Sequence, residues 1–127
     1  MTKYWMRVGF FLAWVIVLQL SGYLMGILTE ANLEPWYRLL DKSSLTPPGV
    51  VFAIVWPILY CLLSVAGYCI FFLVTGASKL IKALYVIQLV FNLSWTPLFF
   101  GLHWIGMAFS VLIFTVLFTF YLMVRLY

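Results

Sequence analysis

A chain of 127 residues has room for one domain, and 67% hydrophobic against 8% charged residues lies far outside the range of soluble globular proteins. That composition puts the chain in a lipid bilayer and excludes an ordinary aqueous fold. The net charge of +4 comes from basic residues scattered at the edges of apolar runs, with no patch for a phosphate backbone, so nucleic acid is not an expected partner.

Uncharged stretches cover residues 8–28, 50–78, 83–102 and 104–124, and each reaches the roughly 20 residues a helix needs to cross the hydrocarbon. The expected fold is an all-α integral membrane protein. It is an antiparallel bundle of four transmembrane helices in a single domain, 1–127, with helices near 5–28, 47–75, 80–102 and 104–127. A membrane β-barrel is disfavoured because its strands alternate apolar and polar residues, whereas these runs are apolar all round.

The first run follows Lys3 and Arg7, as a signal peptide would. It is too long for a secretory apolar region and has no small-residue cleavage site, so it reads as a retained helix. Residues 29–46 form the one long connection, and "EPWYRLL" within it is too apolar for a plain linker. Pro35 suits the start of a short helix, with Trp36, Leu39 and Leu40 against the membrane or the bundle, as a lid would lie. "LTPPG" then opens the second helix near Pro47 or Pro48. Cys61 and Cys69 lie about 12 Å apart along that helix, so they cannot bridge each other. The second connection is short and basic, and the third, "GLHWIG", makes helices three and four antiparallel neighbours.

Lys3, Arg7, Lys79, Lys82 and Arg125 share one membrane face. Arg38 and Lys42 share the other with Glu30, Glu34 and Asp41. The first face is expected to be cytoplasmic, in a bacterial inner membrane, with an organelle outer membrane as the other setting.

The informative stretch is "QLVFNLSWTPLFF", residues 88–100. Gln88, Asn92, Trp95 and Phe99 fall on one stripe of a helical wheel. An unpaired amide in an apolar medium costs roughly 2 to 7 kcal/mol, so this stripe should face protein or a bound molecule. Pro97 frees the carbonyl of Leu93, and Pro57 that of Ala53. Helix two offers a facing stripe of Phe52, Trp56, Leu59, Tyr60, Leu63 and Gly67. Helix one adds Gln19, Gly22 and Gly26, and helix four Gly106, Met107, Ser110 and Phe114.

Simpler readings compete with a pocket. Glycines at this spacing usually serve packing, and Trp5, Trp14 and Trp104 read as interface anchors. Gln88 and Asn92 fit an interhelical hydrogen bond as well as a ligand contact. His103 reads as an interfacial residue, since no Cys, Asp or Glu lies at metal-ligand spacing. No charge lies inside a span, against an ion-coupled transporter, and no catalytic triad or phosphate loop is present. What remains is an aromatic, weakly polar cleft for a large flat apolar ligand.

Residues 36–60, "WYRLLDKSSLTPPGVVFAIVWPILY", and 88–101, "QLVFNLSWTPLFFG", resemble the two signature stretches of the tryptophan-rich sensory protein family, also called translocator protein or peripheral benzodiazepine receptor. The resemblance implies a membrane receptor or sensor, often dimeric. Such a protein needs no cofactor and binds porphyrins such as protoporphyrin IX and haem, and in many members cholesterol or benzodiazepine-type drugs. It implies that Trp56 and Asn92 lie in the ligand pocket. Together with the stripes, the expected ligand-binding set is Trp36, Tyr37, Phe52, Trp56, Tyr60, Gln88, Asn92, Trp95, Phe99, Met107 and Ser110, with Arg38 or Lys42 meeting porphyrin propionates. Some bacterial members degrade porphyrin in light, which makes a photochemical enzyme the second reading and a purely structural helix scaffold the third.

The sequence also departs from the family pattern. The family has five spans, the fifth bearing a pocket tryptophan, whereas this sequence stops at Tyr127 after the fourth. The expectation is a truncated chain or a site completed by another subunit. Ile54 stands where many members have proline, and Ala83 and Ile87 replace a glycine pair used for dimer contact. "LFTFYLMVR", residues 117–125, satisfies a Leu-x-Tyr-x-Arg sterol pattern, with a snorkelling Arg125 as the plainer reading.

Overall fold

The protein is described by a computed structural model covering residues 1–126. Four helices are long and apolar enough to span a bilayer: α1 (Thr2–Ala31), α2 (Gly49–Leu73), α3 (Lys79–Gly101) and α4 (Ile105–Leu126). No strand occurs among the described residues. The chain is a multi-pass integral membrane protein, as the composition requires, and its backbone groups are satisfied within helices as lipid demands. The expected reach of the fourth helix to Tyr127 lies outside the described residues.

Local chemistry sets the ends. Pro48, with φ −59° and ψ 151°, is the extended residue before α2, so α2 starts just after the proline pair. Ser78 caps α3 by accepting a hydrogen bond from the Ile81 N–H at 3.2 Å. Both α2 and α3 end in wider turns, closed by Val74 N–H to Cys69 O at 2.8 Å and Leu102 N–H to Pro97 O at 2.9 Å. In α3 this turn begins at Pro97, where the missing donor makes the ordinary ladder impossible.

The helices pack mainly in the order α2, α1, α3, α4, with α1 between α2 and α3 and α4 laid along α3. α1 turns Trp14, Leu18, Ser21, Gly22 and Met25 inward at helical spacing and leaves its other faces to lipid. α4 buries Ala108, Val111, Thr115 and Leu122 against α3. There Phe91 lies near-parallel to Phe114 and Phe118, with centroids 6.0 and 5.7 Å away. The central core is Leu18, Tyr60, Ile70, Tyr85, Leu89 and Leu122. Small hydroxyl side chains inside the spans bond back to their own helices, as Ser64 does to Tyr60 O at 2.9 Å and Thr115 to Val111 O at 2.8 Å.

Candidate functional site

The unusual residues gather where α1 and α3 end and α2 and α4 begin, the loop face of the molecule. Between α1 and α2 the chain kinks at Glu34, whose φ −116° and ψ 136° are extended, and the turn that follows lays Trp36 and Tyr37 on the end of α3. Trp36 meets Phe99 and Phe100 edge-on at 5.3 and 6.1 Å, and Tyr37 meets the same two rings at 6.4 and 5.4 Å. Leu40 is half-buried against the bundle, and Leu39, 80% exposed, points away from it.

His103 fastens this lid. Its ring lies 3.9 Å from that of Trp36 and only 5° from parallel, and its Nε2 is 3.4 Å from Asn32 Oδ1. The residue holds φ 60°, an uncommon left-handed conformation that His tolerates better than most side chains. The stack explains what that backbone position achieves: it turns the imidazole back over the lid.

Beneath the lid, Trp95 stacks on Phe99 with centroids 4.9 Å apart and planes 9° from parallel. Gln88 is buried. Asn92, one turn from both Gln88 and Trp95, carries the only buried side-chain N or O atom without a hydrogen-bond partner among the described residues, its Oδ1. From α2, Trp56 is half-buried against the core and stacked on Tyr60 at 5.8 Å. Tyr60 in turn lies on Gly22, where an added Cβ would stand 2.6 Å from the ring.

The structure thus brings Trp36, Tyr37, Gln88, Asn92, Trp95 and Phe99 to the lid and upper α3, with Trp56 and Tyr60 entering from α2. It does not bring the others with them. Phe52 is 43% exposed, as is most of the first two turns of α2, and Met107 is 53% exposed, off the stripe that α4 buries. Ser110 is exposed and donates its hydroxyl hydrogen to Gly106 O at 3.1 Å. Nor are the lid cations free: Arg38 pairs with Glu34 at 2.6 Å, and Lys42 donates to Tyr37 O at 2.8 Å while lying 4.5 Å over the Tyr37 ring.

Two further groupings escaped the sequence reading. Trp14, read as an interface anchor, points inward and donates Nε1–H to Tyr85 Oη at 3.0 Å. The Tyr85 hydroxyl donates in turn to Leu63 O at 2.7 Å. Gly67 makes room for this bridge, since a Cβ there would lie 2.5 Å from the Tyr85 oxygen. Gln19 donates to the carbonyl of Pro57 itself at 2.8 Å, tying α1 to α2 at the break in its ladder. The near-alignment of Gln19 with Pro57 across the α1–α2 turn was the only available signal. No cluster of three or more His, Cys, Asp or Glu able to hold a metal occurs among the described residues.

Comparison with known proteins bears on this arrangement. The model of the TspO/MBR family matches residues 13–127. The tryptophan-rich sensory protein of Cereibacter sphaeroides is 40% identical over 85 residues, which are 65% of this chain and 52% of that protein. Protein CrtK of Rhodobacter capsulatus is 35% identical over 89 residues, 67% of this chain and 56% of the relative. Translocator protein of Bos taurus is 34% identical over 99 residues, 76% of this chain and 59% of the relative. The chain therefore spans little more than half the length of the curated relatives it matches.

Proposed function

Because the chain belongs to the TspO/MBR family, we propose that it is a membrane receptor or sensor for a large planar ligand of the porphyrin class, received beneath the Trp36 lid. The names of its relatives, sensory protein and translocator protein, support a role in sensing or passing on such a ligand. The observation that carries the reading is the buried, unpartnered Asn92 Oδ1 on the same stripe as Trp95 and Phe99. A scaffold whose amides only hold helices together would pair that oxygen, because leaving it unpaired costs about 1 to 3 kcal/mol. A guest with an N–H or O–H donor recovers that cost.

The residues suit a free-base porphyrin: indole and phenyl faces for the macrocycle, an acceptor for a donor hydrogen, and two cations in the lid for propionates. Entry requires the lid to lift. A planar guest between two rings needs roughly 7 Å, twice a carbon–carbon contact distance, and Trp36 stands 3.9 Å from His103. Arg38 and Lys42 must then exchange Glu34 and the backbone carbonyls for the guest.

Titration with protoporphyrin IX, followed by quenching of tryptophan emission, tests the reading. Asn92→Leu keeps the side-chain size and removes the orphan oxygen, so porphyrin affinity should fall about tenfold while thermal stability holds or rises. Lower stability with unchanged affinity would make Asn92 a structural group and defeat the proposal.

A further inference from the structure

At the opposite, basic face, α3 and α4 leave an apolar groove of about 460 Å³, lined by Leu80 and Leu84 on one side and Leu117, Phe118 and Tyr121 on the other. Leu84 and Phe118 are half-buried and make its floor, while Leu80 and Leu117, 53% and 56% exposed, stand as its walls toward lipid. Leu117, Tyr121 and Arg125 follow one another at four-residue intervals on one face of α4. The Arg125 guanidinium carbon lies 5.9 Å from the Tyr121 ring centroid. Lys79, the first residue of α3, precedes Leu80 at the same end of the helix pair, within the reach of a long flexible side chain. The rim is thus cationic above an apolar trough.

No Asp or Glu side chain lies at this face among the described residues. Glu30, Glu34 and Asp41 all lie at the loop face, and the one salt bridge among the described residues, Glu34 to Arg38, is there too. We propose that the groove is a binding site for an anionic phospholipid, one acyl chain lying along Leu84 and Phe118 and the phosphate meeting Arg125 and Lys79. The charge of the rim selects the occupant. A sterol satisfies the Leu-x-Tyr-x-Arg pattern but presents one neutral hydroxyl and leaves both cations unmatched, and a zwitterionic lipid brings its own cation to a cationic rim. This site is independent of the one beneath the lid and stands or falls apart from it.

Native mass spectrometry of the full chain, with phosphatidylglycerol and phosphatidylcholine of identical acyl chains, decides the matter. Phosphatidylglycerol should bind about tenfold more tightly. Arg125→Gln should weaken it about fivefold and leave phosphatidylcholine unchanged, as expected for one cation at a headgroup. Leu117→Trp, on an exposed wall, should fill the trough and weaken both lipids, and Leu80→Trp repeats that test from the other helix should the first variant fold poorly. Undiminished phosphatidylglycerol binding in the filled variants would reduce the effect to surface charge alone. Displacement of the lipid by a sterol that binds Arg125→Gln equally well would assign the groove to the sterol. Either result overturns the proposal.

Discussion

Single atoms decide where this membrane protein can tolerate change. Gly22 and Gly26 look alike in the sequence, yet an added methyl would meet the Tyr60 ring at 2.6 Å in one case and nothing within 4 Å in the other. Gly22→Ala should therefore lower stability by about 1 to 3 kcal/mol through overpacking, while Gly26→Ala should cost nothing, as thermal unfolding followed by circular dichroism would register. Tyr85→Phe strands the Trp14 indole N–H and removes one donor from Leu63 O. Unfolding of that variant in detergent should show a loss of about 1 to 2 kcal/mol, the range for hydrogen bonds between membrane helices. The inward turn of Trp14 was not legible beforehand, because a tryptophan in an apolar helix satisfies an interface and a core equally well until its N–H finds a partner.

Among the elements, the lid and α3 make one unit through aromatic contacts. The Trp36–His103 stack joins residues far apart in sequence, and such a ring pair contributes about 0.5 to 1.5 kcal/mol. Trp36→Ala and His103→Ala should each speed tryptic cleavage after Arg38 or Lys42 by roughly two- to tenfold. His103→Asn, which accepts the left-handed backbone but removes the ring, should quicken the same digest as the alanine variants do. The number of spans was legible from run length alone, and so was the inward stripe of α3, because amides on an apolar helix mark the side that cannot face lipid. The phase of α4 was not. It is apolar on every side, so periodicity could not tell Ala108, Val111 and Thr115, which pack on α3, from Met107 and Ser110, which do not. The left-handed turn at His103 was equally silent, since only the fold says which way its ring returns.

For the molecule as a whole, the charges sort by face. Lys3, Arg7, Lys79, Lys82 and Arg125 lie at one end, and the side chains of Glu30, Glu34 and Asp41 at the other. In a bacterial inner membrane this asymmetry predicts that Ser43→Cys reacts with an impermeant maleimide added to intact cells and that Ala77→Cys reacts only after the membrane is opened. The reverse pattern would show the opposite insertion. α2 is also divided at Pro57: its basic-face half buries Tyr60, Ser64, Gly67 and Ile70, while residues 49–55 lie exposed. Gln19 holds the point of division. α2 is therefore anchored on the basic side of Pro57, by Gly22 under Tyr60 and by the Tyr85 hydroxyl on Leu63 O, and its first two turns extend past that anchorage with the Gln19 amide at the boundary. Gln19→Leu should accordingly free residues 49–55 first, quickening their amide exchange while residues 60–70 keep theirs.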